Sequence, residues 1–388
     1  MTALDEIRWN EPGRLETLLT AVDPRVARAL NKALDGRELD FDEGLTLARS
    51  RGNEMEALVL AADRVRRERV GDLITYVINR NINFTNICFI GCRFCAFSRA
   101  PRENDAYFHS FEETQRRSVE AWERGAREVC VQGGLPRDLD PNYYRDLLVA
   151  IKQVTPEMHI HAFSPMEIVY GVELTGLPLR DYLAMLKDAG LGTLPGTAAE
   201  ILDDDVRHQI ERIKLKVSQW QDVIKTAHQL GIRTTSTMMY GHTETEEHWV
   251  RHLMLLRDIQ KETGGFTEFV PLGFVHEFTQ LYRSGDARPG PTIAEHLKVH
   301  ALSRLMLQGW IENIQVSWVK MSREVTQACL RAGANDYGGT LMNENISRLA
   351  GATSGEYLSP EEFHERIREL GRIPAERTTL YRIVRSYG

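Results

Sequence analysis

The chain has 388 residues, of which 42% are hydrophobic and 27% are charged, and its formal net charge is −7. This composition is typical of globular proteins and excludes wholesale disorder, and the acidic balance argues against nucleic acid as a partner, because phosphate binding needs a basic surface. No apolar run approaches the roughly 18 residues that span a bilayer, and the first 30 residues lack an apolar signal segment. The sequence therefore predicts a cytoplasmic protein without a membrane partner.

The first region, residues 1–70, is predicted to be a helical extension. Residues 40–45 have the pattern of a capped helix start, and residues 55–65 have helical apolar spacing. The last region, residues 346–388, is predicted to be a helical segment packed on the central region. Ser359 followed by Pro360 is a strong helix start there.

The central region, residues 71–345, alternates short β-branched or apolar runs with amphipathic segments of helix length. The predicted strands are residues 74–85, 128–132, 158–163, 191–194, 233–239, 267–272, 311–317 and 334–341. Strand and helix alternating in this way predict an α/β fold, a parallel (β/α)8 TIM-type barrel. Catalytic groups in such barrels cluster at the C-terminal ends of the strands.

Three of the five cysteines, Cys88, Cys92 and Cys95, lie directly after the first predicted strand with C-x3-C-x2-C spacing. Iron–sulfur clusters normally take four thiolates, so a loop with three can hold a cluster and leave one iron open. Structural zinc needs four ligands, and only His109 lies near as a fourth. A disulfide is disfavoured by the odd number of cysteines. The other two cysteines are predicted to be small buried hydrophobic residues.

Further polar groups follow the next predicted strands. Gln132 precedes the pair Gly133 and Gly134, and a glycine pair lets the backbone approach a ligand closely. Glu200 lies in the loop after the fourth strand, where it suits a cofactor ammonium or ribose, with a carboxylate at a helix N-terminus as the alternative. Met239 ends the fifth strand and offers an apolar contact.

His159 and His161 form an H-x-H pattern on the third predicted strand. Such a pair could bind a catalytic metal, as in amidohydrolase-like barrels, but no matching set of carboxylate and lysine follows on later strands. We therefore expect His161 and Ser164 to face the substrate or cofactor, and His159 to be packed.

The last predicted strands end in amide, imidazole and carboxylate groups, which suit a substrate rich in hydrogen-bonding edges, with a capping loop as the alternative. The candidate substrate-binding residues are His161, His276, Asn335, Asp336, Thr340, Asn343 and Glu344. The catalytic residue is left open, with His161, Tyr240 and Glu344 as candidates.

The cysteine loop, with Phe94 before its last cysteine and Phe97 after it, resembles the radical S-adenosylmethionine superfamily. The resemblance implies one [4Fe–4S] cluster on the three cysteines and S-adenosylmethionine on the open iron, cleaved to give a 5′-deoxyadenosyl radical. It also implies that backbone groups near Gly134 hold the cofactor amine, because Leu135 replaces the usual Glu. The implied cofactor-binding residues are Phe94, Gln132, Gly133, Gly134, Ser164, Glu200 and Met239.

More widely, the sequence resembles FO synthase subunit 2 over residues 76–97, 132–135, 194–206, 234–244, 263–276, 288–292 and 335–345. This resemblance implies that hydrogen is abstracted from the amino group of L-tyrosine and that its Cα–Cβ bond breaks. The 4-hydroxybenzyl group then joins carbon 5 of 5-amino-6-(D-ribitylamino)uracil, 2-iminoacetate is released, and the product leads to the deazaflavin chromophore FO. A separate FO synthase subunit 1 and a reductant such as ferredoxin or flavodoxin are implied as partners.

One stretch departs from that family. Residues 211–216 replace the usual Cys-Pro-x-Lys, so the contacts of that loop are in doubt. The alternative families are two from the menaquinone pathway, dehypoxanthine futalosine cyclase and aminofutalosine synthase. A redox sensor is the non-enzymatic alternative.

Overall fold

A computed structural model describes residue 4, residues 7–211, residue 213 and residues 215–388. The chain begins with four helices, α1 (Arg14–Ala21), α2 (Pro24–Leu34), α3 (Phe41–Ala48) and α4 (Asn53–Val70). Asp40 and Glu43 form a capping box at the start of α3, which satisfies backbone N–H groups that have no partner inside the helix. No described helix combines the length and the apolar character needed to cross a membrane.

The barrel strands are β1 (Leu73–Val77), β2 (Asn79–Ile82), β3 (Glu128–Val131), β4 (His159–Ala162), β5 (Thr193–Leu194), β6 (Arg233–Tyr240), β7 (Phe266–Gly273) and β8 (Asp336–Gly339). Strands β2 to β7 pair in chain order, and β8 pairs with β1, all in parallel. Ile314 bridges to Phe269 and Gln315 bridges to Asp336, which joins β7 to β8. Because β1 and β2 are one stretch interrupted at Ile78, the ring closes and confirms the predicted barrel.

The connecting helices lie between the strands, as expected for an α/β barrel. They are α5 (Phe111–Glu123), α6 (Tyr143–Val154), α7 (Pro165–Thr175), α8 (Leu179–Asp188), α9 (Asp204–Ile210), α10 (Val217–Gln229), α11 (Glu246–Thr263), α12 (Gln280–Arg283), α13 (Ile293–Leu307) and α14 (Arg323–Arg331). A 3-10 helix covers Trp318–Lys320. Two more helices, α15 (Ile346–Ala350) and α16 (Pro360–Glu369), follow β8.

The C-terminal region differs from the helical segment that the sequence predicts. After α16 the chain forms β9 (Ile373–Arg377) and β10 (Ile383–Ser386). Strand β9 pairs in parallel with β1, and β10 pairs antiparallel with β9. The reason is the interruption at Ile78: β3 pairs with β2, so one edge of β1 would lack a partner, and β9 fills it.

The turn after β9 closes the barrel at the N-terminal ends of its strands. We call Glu128, Glu268, Asp336, Arg377, Thr379 and Tyr381 the floor cluster. Arg377 contacts Asp336 through Nε to Oδ2 at 2.5 Å and Nη2 to Oδ1 at 3.0 Å. Thr379 donates to Glu128 at 2.6 Å, and Tyr381 donates to Glu268. Burial raises the pKa of the Glu268 carboxyl above its usual range.

Candidate active site

A cavity of about 260 Å³ lies at the opposite, C-terminal ends of the barrel strands. Its wall includes the cysteine loop and the ends of β3 to β7. All ten residues predicted to hold the cluster or the cofactor line it, namely Cys88, Cys92, Cys95, Phe94, Gln132, Gly133, Gly134, Ser164, Glu200 and Met239. The barrel therefore brings together side chains from six separate loops and strand ends in one place.

The cysteine loop is held in shape by hydrogen bonds that do not use the thiols. The Arg99 guanidinium donates to the backbone carbonyls of Ala96, Phe97 and Ser98 at 2.8, 3.3 and 3.0 Å. The Asn86 side chain donates to Asp105 and accepts from the Tyr107 N–H, both at 2.8 Å. Hydrogen bonds between the Arg99 and Asn86 side chains and the backbone thus hold the loop in shape without help from a metal.

The three cysteines of that loop are half-buried and are not joined in disulfides. Among the residues that the structure describes, no three metal-binding side chains surround a single point as a lone ion would require. A [4Fe–4S] cluster is bound differently, since each thiolate ligates a different iron. Three cysteines along one cavity wall, none of them in a disulfide, fit such a cluster and do not fit a structural zinc ion, which takes four ligands.

The glycine pair after β3 lies directly against this loop. A Cβ atom on Gly133 would collide with the Phe84 ring, and one on Gly134 would collide with the Ile87 carbonyl. The Gly133 N–H donates to Glu167 at 3.1 Å, and the same carboxylate accepts from the Ser164 hydroxyl at 2.7 Å. The close approach therefore requires glycine, and Glu167 links the turn after β3 to the start of α7.

Several residues that follow barrel strands have left-handed backbone, which is strained for side chains other than glycine, and two of them, Ala198 and Glu200, line the cavity. Phe163 follows β4 with φ +63°, Ala198 and Glu200 follow β5 with φ +70° and +41°, and Leu341 and Met342 follow β8 with φ +63° and +54°. Glu200 lies before α9, which begins at Asp204, so it is not in the first turn of that helix. Strain gathered at strand ends is typical of functional sites.

The predicted loop after β6 is buried and internally bonded. Glu244 accepts from the Gly241 and His242 N–H groups at 2.6 and 2.8 Å and from the Trp249 indole at 3.0 Å. Glu244 therefore shapes this loop. Met239, just before the loop, donates its N–H to the Glu200 carbonyl at 2.8 Å, which joins the two neighbouring strand ends.

The candidate catalytic residues His161 and Tyr240 do not line the cavity. His161 lies inside the barrel below it and shares a hydrogen bond of 2.7 Å with Thr193. Burial lowers the pKa of His161 to about 4, so its ring is neutral near pH 7. Tyr240 points away from the barrel interior and bonds to His296 at 2.6 Å, beside Trp249.

The candidate substrate residues near β8 lie away from the cavity wall. Asp336 belongs to the floor cluster, and Asn335 accepts from Arg304 at 2.7 Å on the outer side of the strand. Thr340 donates to the Asn79 carbonyl at 2.7 Å. Asn343 accepts from Arg80 at 2.8 Å. Asn335 and Asp336 lie at the start of this strand, not at its C-terminal end. Asp336 therefore faces the floor, and Asn335 faces Arg304 of α13.

Glu344 lies between the barrel interior and helix α15. It accepts from the Ser347 N–H at 2.6 Å and from the Asn81 amide at 2.8 Å. These bonds place its carboxylate inside the barrel, next to the first turn of α15. His276 is on the wall of a second cavity, described below.

Six polar residues that line the first cavity were not predicted as site residues from the sequence: Asn83, Ser98, Glu167, Thr197, Thr237 and Lys320. Asn83 donates to the Gln132 carbonyl at 3.2 Å, while its own Oδ1 is buried without a hydrogen-bond partner. Asn83 and Thr237 lie inside predicted strands, whereas Glu167, Thr197 and Lys320 each follow a predicted strand by a few residues. That position was the available signal, but it is shared by many ordinary loop residues.

The barrel interior below the cavity is also polar. The strand register places Asn81, Cys130 and His161 side by side in one row. Cys130 and Asn81 retain partial exposure there, so this space is not filled by side chains, and Cys130 is less buried than predicted. Cys329 is fully buried, as predicted.

A second cavity of about 540 Å³ adjoins the first. It is lined by His276 after β7, by residues 318–324, and by residues 351–354 after α15. Phe274, Val275 and Lys320 line both cavities. Lys320 donates to the Ser347 hydroxyl at 2.9 Å, and burial lowers its pKa.

Residues 211–216, which replace the usual Cys-Pro-x-Lys of the family that the sequence resembles, are only partly described by the structure. Arg212 and Lys214 lie outside the described residues. The Arg207 guanidinium donates to the Leu215 carbonyl at 3.0 and 2.8 Å and to the Ala199 carbonyl at 2.6 Å. Arg207 thereby ties the described part of this stretch to the loop that carries Glu200.

Comparison with known families divides the chain into two matches. Residues 82–256 match the radical SAM superfamily, and residues 263–387 match the CofH/MqnC C-terminal region. The superfamily implies a [4Fe–4S] cluster and S-adenosylmethionine, which agrees with the three thiols in the cavity wall.

Solved structures with the same fold are distant in sequence. Methylornithine synthase is 19% identical to this chain, and the match covers 89% of this chain and 97% of that protein, with a TM-score of 0.70. The [FeFe]-hydrogenase maturase HydG is 15% identical over 95% of this chain and 80% of its own, with a TM-score of 0.74. At these low identities, both similarities show a shared fold and nothing about the reaction.

Curated relatives are much closer in sequence. The 5-amino-6-(D-ribitylamino)uracil–L-tyrosine 4-hydroxyphenyl transferase of Methanothermobacter thermautotrophicus is 52% identical over 93% of this chain and 98% of its own. The enzyme of that name from Methanocaldococcus jannaschii is 52% identical over 83% of this chain and 91% of its own. The FO synthase of Nocardia farcinica is 52% identical over 97% of this chain, which spans only 43% of that longer protein. The chain belongs to the radical SAM superfamily and, within it, to the family of the 5-amino-6-(D-ribitylamino)uracil–L-tyrosine 4-hydroxyphenyl transferases.

Proposed function

We propose that this protein transfers the 4-hydroxybenzyl group of L-tyrosine to carbon 5 of 5-amino-6-(D-ribitylamino)uracil and releases 2-iminoacetate. The observation that carries the proposal is the 52% identity to a transferase of that name over nearly the whole of both chains. The arrangement of the cavity, the polar barrel interior and the closed floor support it.

Cys88, Cys92 and Cys95 would hold one [4Fe–4S] cluster, and the backbone around Gly133 and Gly134 would hold S-adenosylmethionine against it. When bound there, the cluster and the cofactor would supply the one-electron chemistry that removes a hydrogen atom from the tyrosine amino group. The glycine pair allows the close backbone approach that such a ligand needs. Met239 supplies an apolar wall on the opposite side.

The barrel interior suits a neutral, hydroxyl-rich substrate. Most TIM barrels are filled by branched aliphatic side chains, but here the row of Asn81, Cys130 and His161, with Asn83 and Gln132 above it, is polar and partly open. Such groups can hydrogen-bond a uracil ring and a ribityl chain without adding charge. A site built on such bonds also rejects analogues that lack the matching groups.

The chain also limits the access of water to that interior. The floor cluster closes the N-terminal end of the barrel with buried ion pairs and hydrogen bonds, so the mouth is the route to the cavity. A radical in a wet site would be quenched by side reactions, which a closed cavity prevents. Fixed loops at the mouth position the reacting groups at short range.

We further propose that a separate FO synthase subunit 1 consumes the product. This chain spans 43% of the Nocardia farcinica FO synthase, so the remaining chemistry of that longer protein belongs to other residues. A reductant such as ferredoxin or flavodoxin would supply the electron.

The test is an anaerobic reaction of the iron- and sulfide-reconstituted protein with dithionite, S-adenosylmethionine, tyrosine and the ribitylaminouracil. We expect 5′-deoxyadenosine together with an adduct whose mass includes the 4-hydroxybenzyl group. Formation of 5′-deoxyadenosine only with a futalosine-type substrate would instead assign the protein to the menaquinone pathway. Reduced protein that leaves S-adenosylmethionine intact under every condition would favour a redox sensor.

A further inference from the structure

Lys320 occupies the junction between the two cavities. It ends the 3-10 helix Trp318–Lys320, which follows the bridging residues Ile314 and Gln315, and with Phe274 and Val275 it lines both cavities. A single ammonium group can therefore contact a ligand that extends from one cavity into the other.

The hydrogen bonding of Lys320 leaves its charge without a counter-ion among the described residues. Its Nζ donates to the neutral Ser347 hydroxyl at 2.9 Å and forms no ion pair with a described carboxylate. Two acidic groups act on it electrostatically, Glu344 and the Cys95 thiol. Both Glu344 oxygens already accept hydrogen bonds, from the Ser347 N–H and from the Asn81 amide, and Cys95 is one of the three cysteines expected to hold the cluster. An ammonium group in a low-dielectric wall gains most from an anion that reaches it directly.

Other cations near the second cavity are already paired. Arg323 contacts Glu369 at 2.5 Å, and Arg366 lies 3.8 Å from Glu362. Lys298 is buried elsewhere, donates to the Ala48 carbonyl at 2.9 Å and lies 4.0 Å from Glu246. Lys320 is thus half-buried, lies on the walls of two cavities and has no described carboxylate as an ion-pair partner.

We propose that Lys320 binds the α-carboxylate of the amino-acid substrate, an inference that rests on the proposed function. Of the two substrates, the ribitylaminouracil is neutral and tyrosine carries a carboxylate. The carboxylate of S-adenosylmethionine is implied to bind iron, so the anion left for a protein cation is that of tyrosine. A charge-assisted hydrogen bond from Nζ would fix the Cα end of tyrosine at the junction, with the amino group towards the first cavity.

The test compares Lys320→Met and Lys320→Arg with the wild-type protein. Tyrosine affinity is measured by isothermal titration of the reconstituted protein, and KM is measured for tyrosine and for the ribitylaminouracil. We expect Lys320→Met to weaken tyrosine binding by about 10- to 100-fold, the usual effect of losing a charged hydrogen bond, with the KM of the ribitylaminouracil unchanged. Lys320→Arg keeps the charge and should retain part of the affinity.

Tyramine, which lacks the carboxylate, gives an internal control. Wild-type protein should bind tyramine far more weakly than tyrosine, whereas Lys320→Met should bind the two about equally. Arg323→Met is the matched control, because it removes a cation from the same cavity that is already paired, and it should leave tyrosine binding as in the wild type.

Two results would overturn the proposal. One is unchanged tyrosine affinity in Lys320→Met. The other is a loss of S-adenosylmethionine binding in that variant with the preference for tyrosine over tyramine intact, which would place Lys320 at the cofactor. Wild-type protein that binds neither tyrosine nor tyramine would contradict the proposed function itself, which separates the two failures.

Discussion

The mouth and the floor of this barrel both contain polar side chains, but these differ in whether the chain itself supplies their hydrogen-bond and ion-pair partners. At the floor, Arg377 is paired with Asp336, and Thr379 and Tyr381 donate to Glu128 and Glu268. At the mouth, the Asn83 side-chain oxygen Oδ1 has no hydrogen-bond partner, Lys320 has only a neutral one, and the three cysteines are not joined in disulfides.

The difference shows which polar groups serve folding and which remain for ligands. Buried polar groups in folded proteins are normally paired within the chain, as the floor cluster is. Groups at the mouth that lack such partners can be satisfied by a cofactor or substrate. The mouth also contains the left-handed residues Ala198 and Glu200. Substitutions at the floor should therefore change stability, and substitutions at the mouth should change binding and activity.

The largest effect is expected for Cys88→Ala, because two thiolates cannot hold the cluster. Iron content should fall from about four atoms per chain to near zero, and 5′-deoxyadenosine formation should fall to background. Since Cys88 is half-buried, the circular dichroism spectrum of the variant should match the wild type. Cys329→Ala is the control, since Cys329 is buried away from the cavity and should leave iron content unchanged. Full activity of Cys88→Ala with zinc would instead support an amidohydrolase-like site.

The next largest effect is expected for Arg377→Met at the floor, which leaves the Asp336 carboxylate buried without its cation. Loss of one partner from a buried pair costs about 3–5 kcal/mol. The free energy of unfolding of the cluster-free protein, measured in urea, should fall by that amount. Arg348→Met removes an exposed ion pair with Glu356 and should cost less than about 1 kcal/mol. Equal effects of the two variants would contradict the paired floor.

A pH-dependent effect of intermediate size is expected for His161. Its folded pKa of about 4 lies below the unfolded value of about 6.5. The stability that its neutral form contributes is therefore present above pH 6.5 and is lost as the pH falls towards 4. At pH 5 this loss is about 2 kcal/mol. The free energy of unfolding in urea is measured for the wild type and for His161→Gln at pH 7 and at pH 5. The difference between the two proteins in their loss of stability gives the contribution of His161, because the other buried histidines are common to both. An identical pH dependence of the two proteins would show that His161 is not buried as described.

The smallest effect is expected for Asn83→Leu at the mouth. The KM of the ribitylaminouracil or of tyrosine should rise by about 2- to 10-fold, the range for one neutral hydrogen bond. The thermal midpoint should hold or rise, because an unpartnered buried oxygen is removed. A lower midpoint with unchanged KM values would place Asn83 with the floor residues.

The sequence was sufficient for the barrel, and the ten residues predicted to hold the cluster or the cofactor all line one cavity. Strand and helix periodicity is local, and the glycine pair and the three cysteines lie within short stretches. The substrate side was harder to predict, because the direction of a side chain depends on strand register. Asp336 and Thr340 looked like strand-end residues, yet one bonds to Arg377 and the other to the Asn79 backbone. Lys320 follows a predicted strand, but this position does not distinguish it from ordinary loop residues, and its isolation from carboxylates is evident only once the chain is folded.

The pairing of β9 with β1 also has a consequence for synthesis of the protein. Leu73 lies opposite Ile373, so one edge of the first barrel strand has no partner until nearly the whole chain has been made. At about 5–20 residues per second, a ribosome would leave that edge open for many seconds. Unpaired strand edges can pair with other chains. We therefore expect the nascent protein to depend on chaperones, and expression without residues 373–387 to give aggregates.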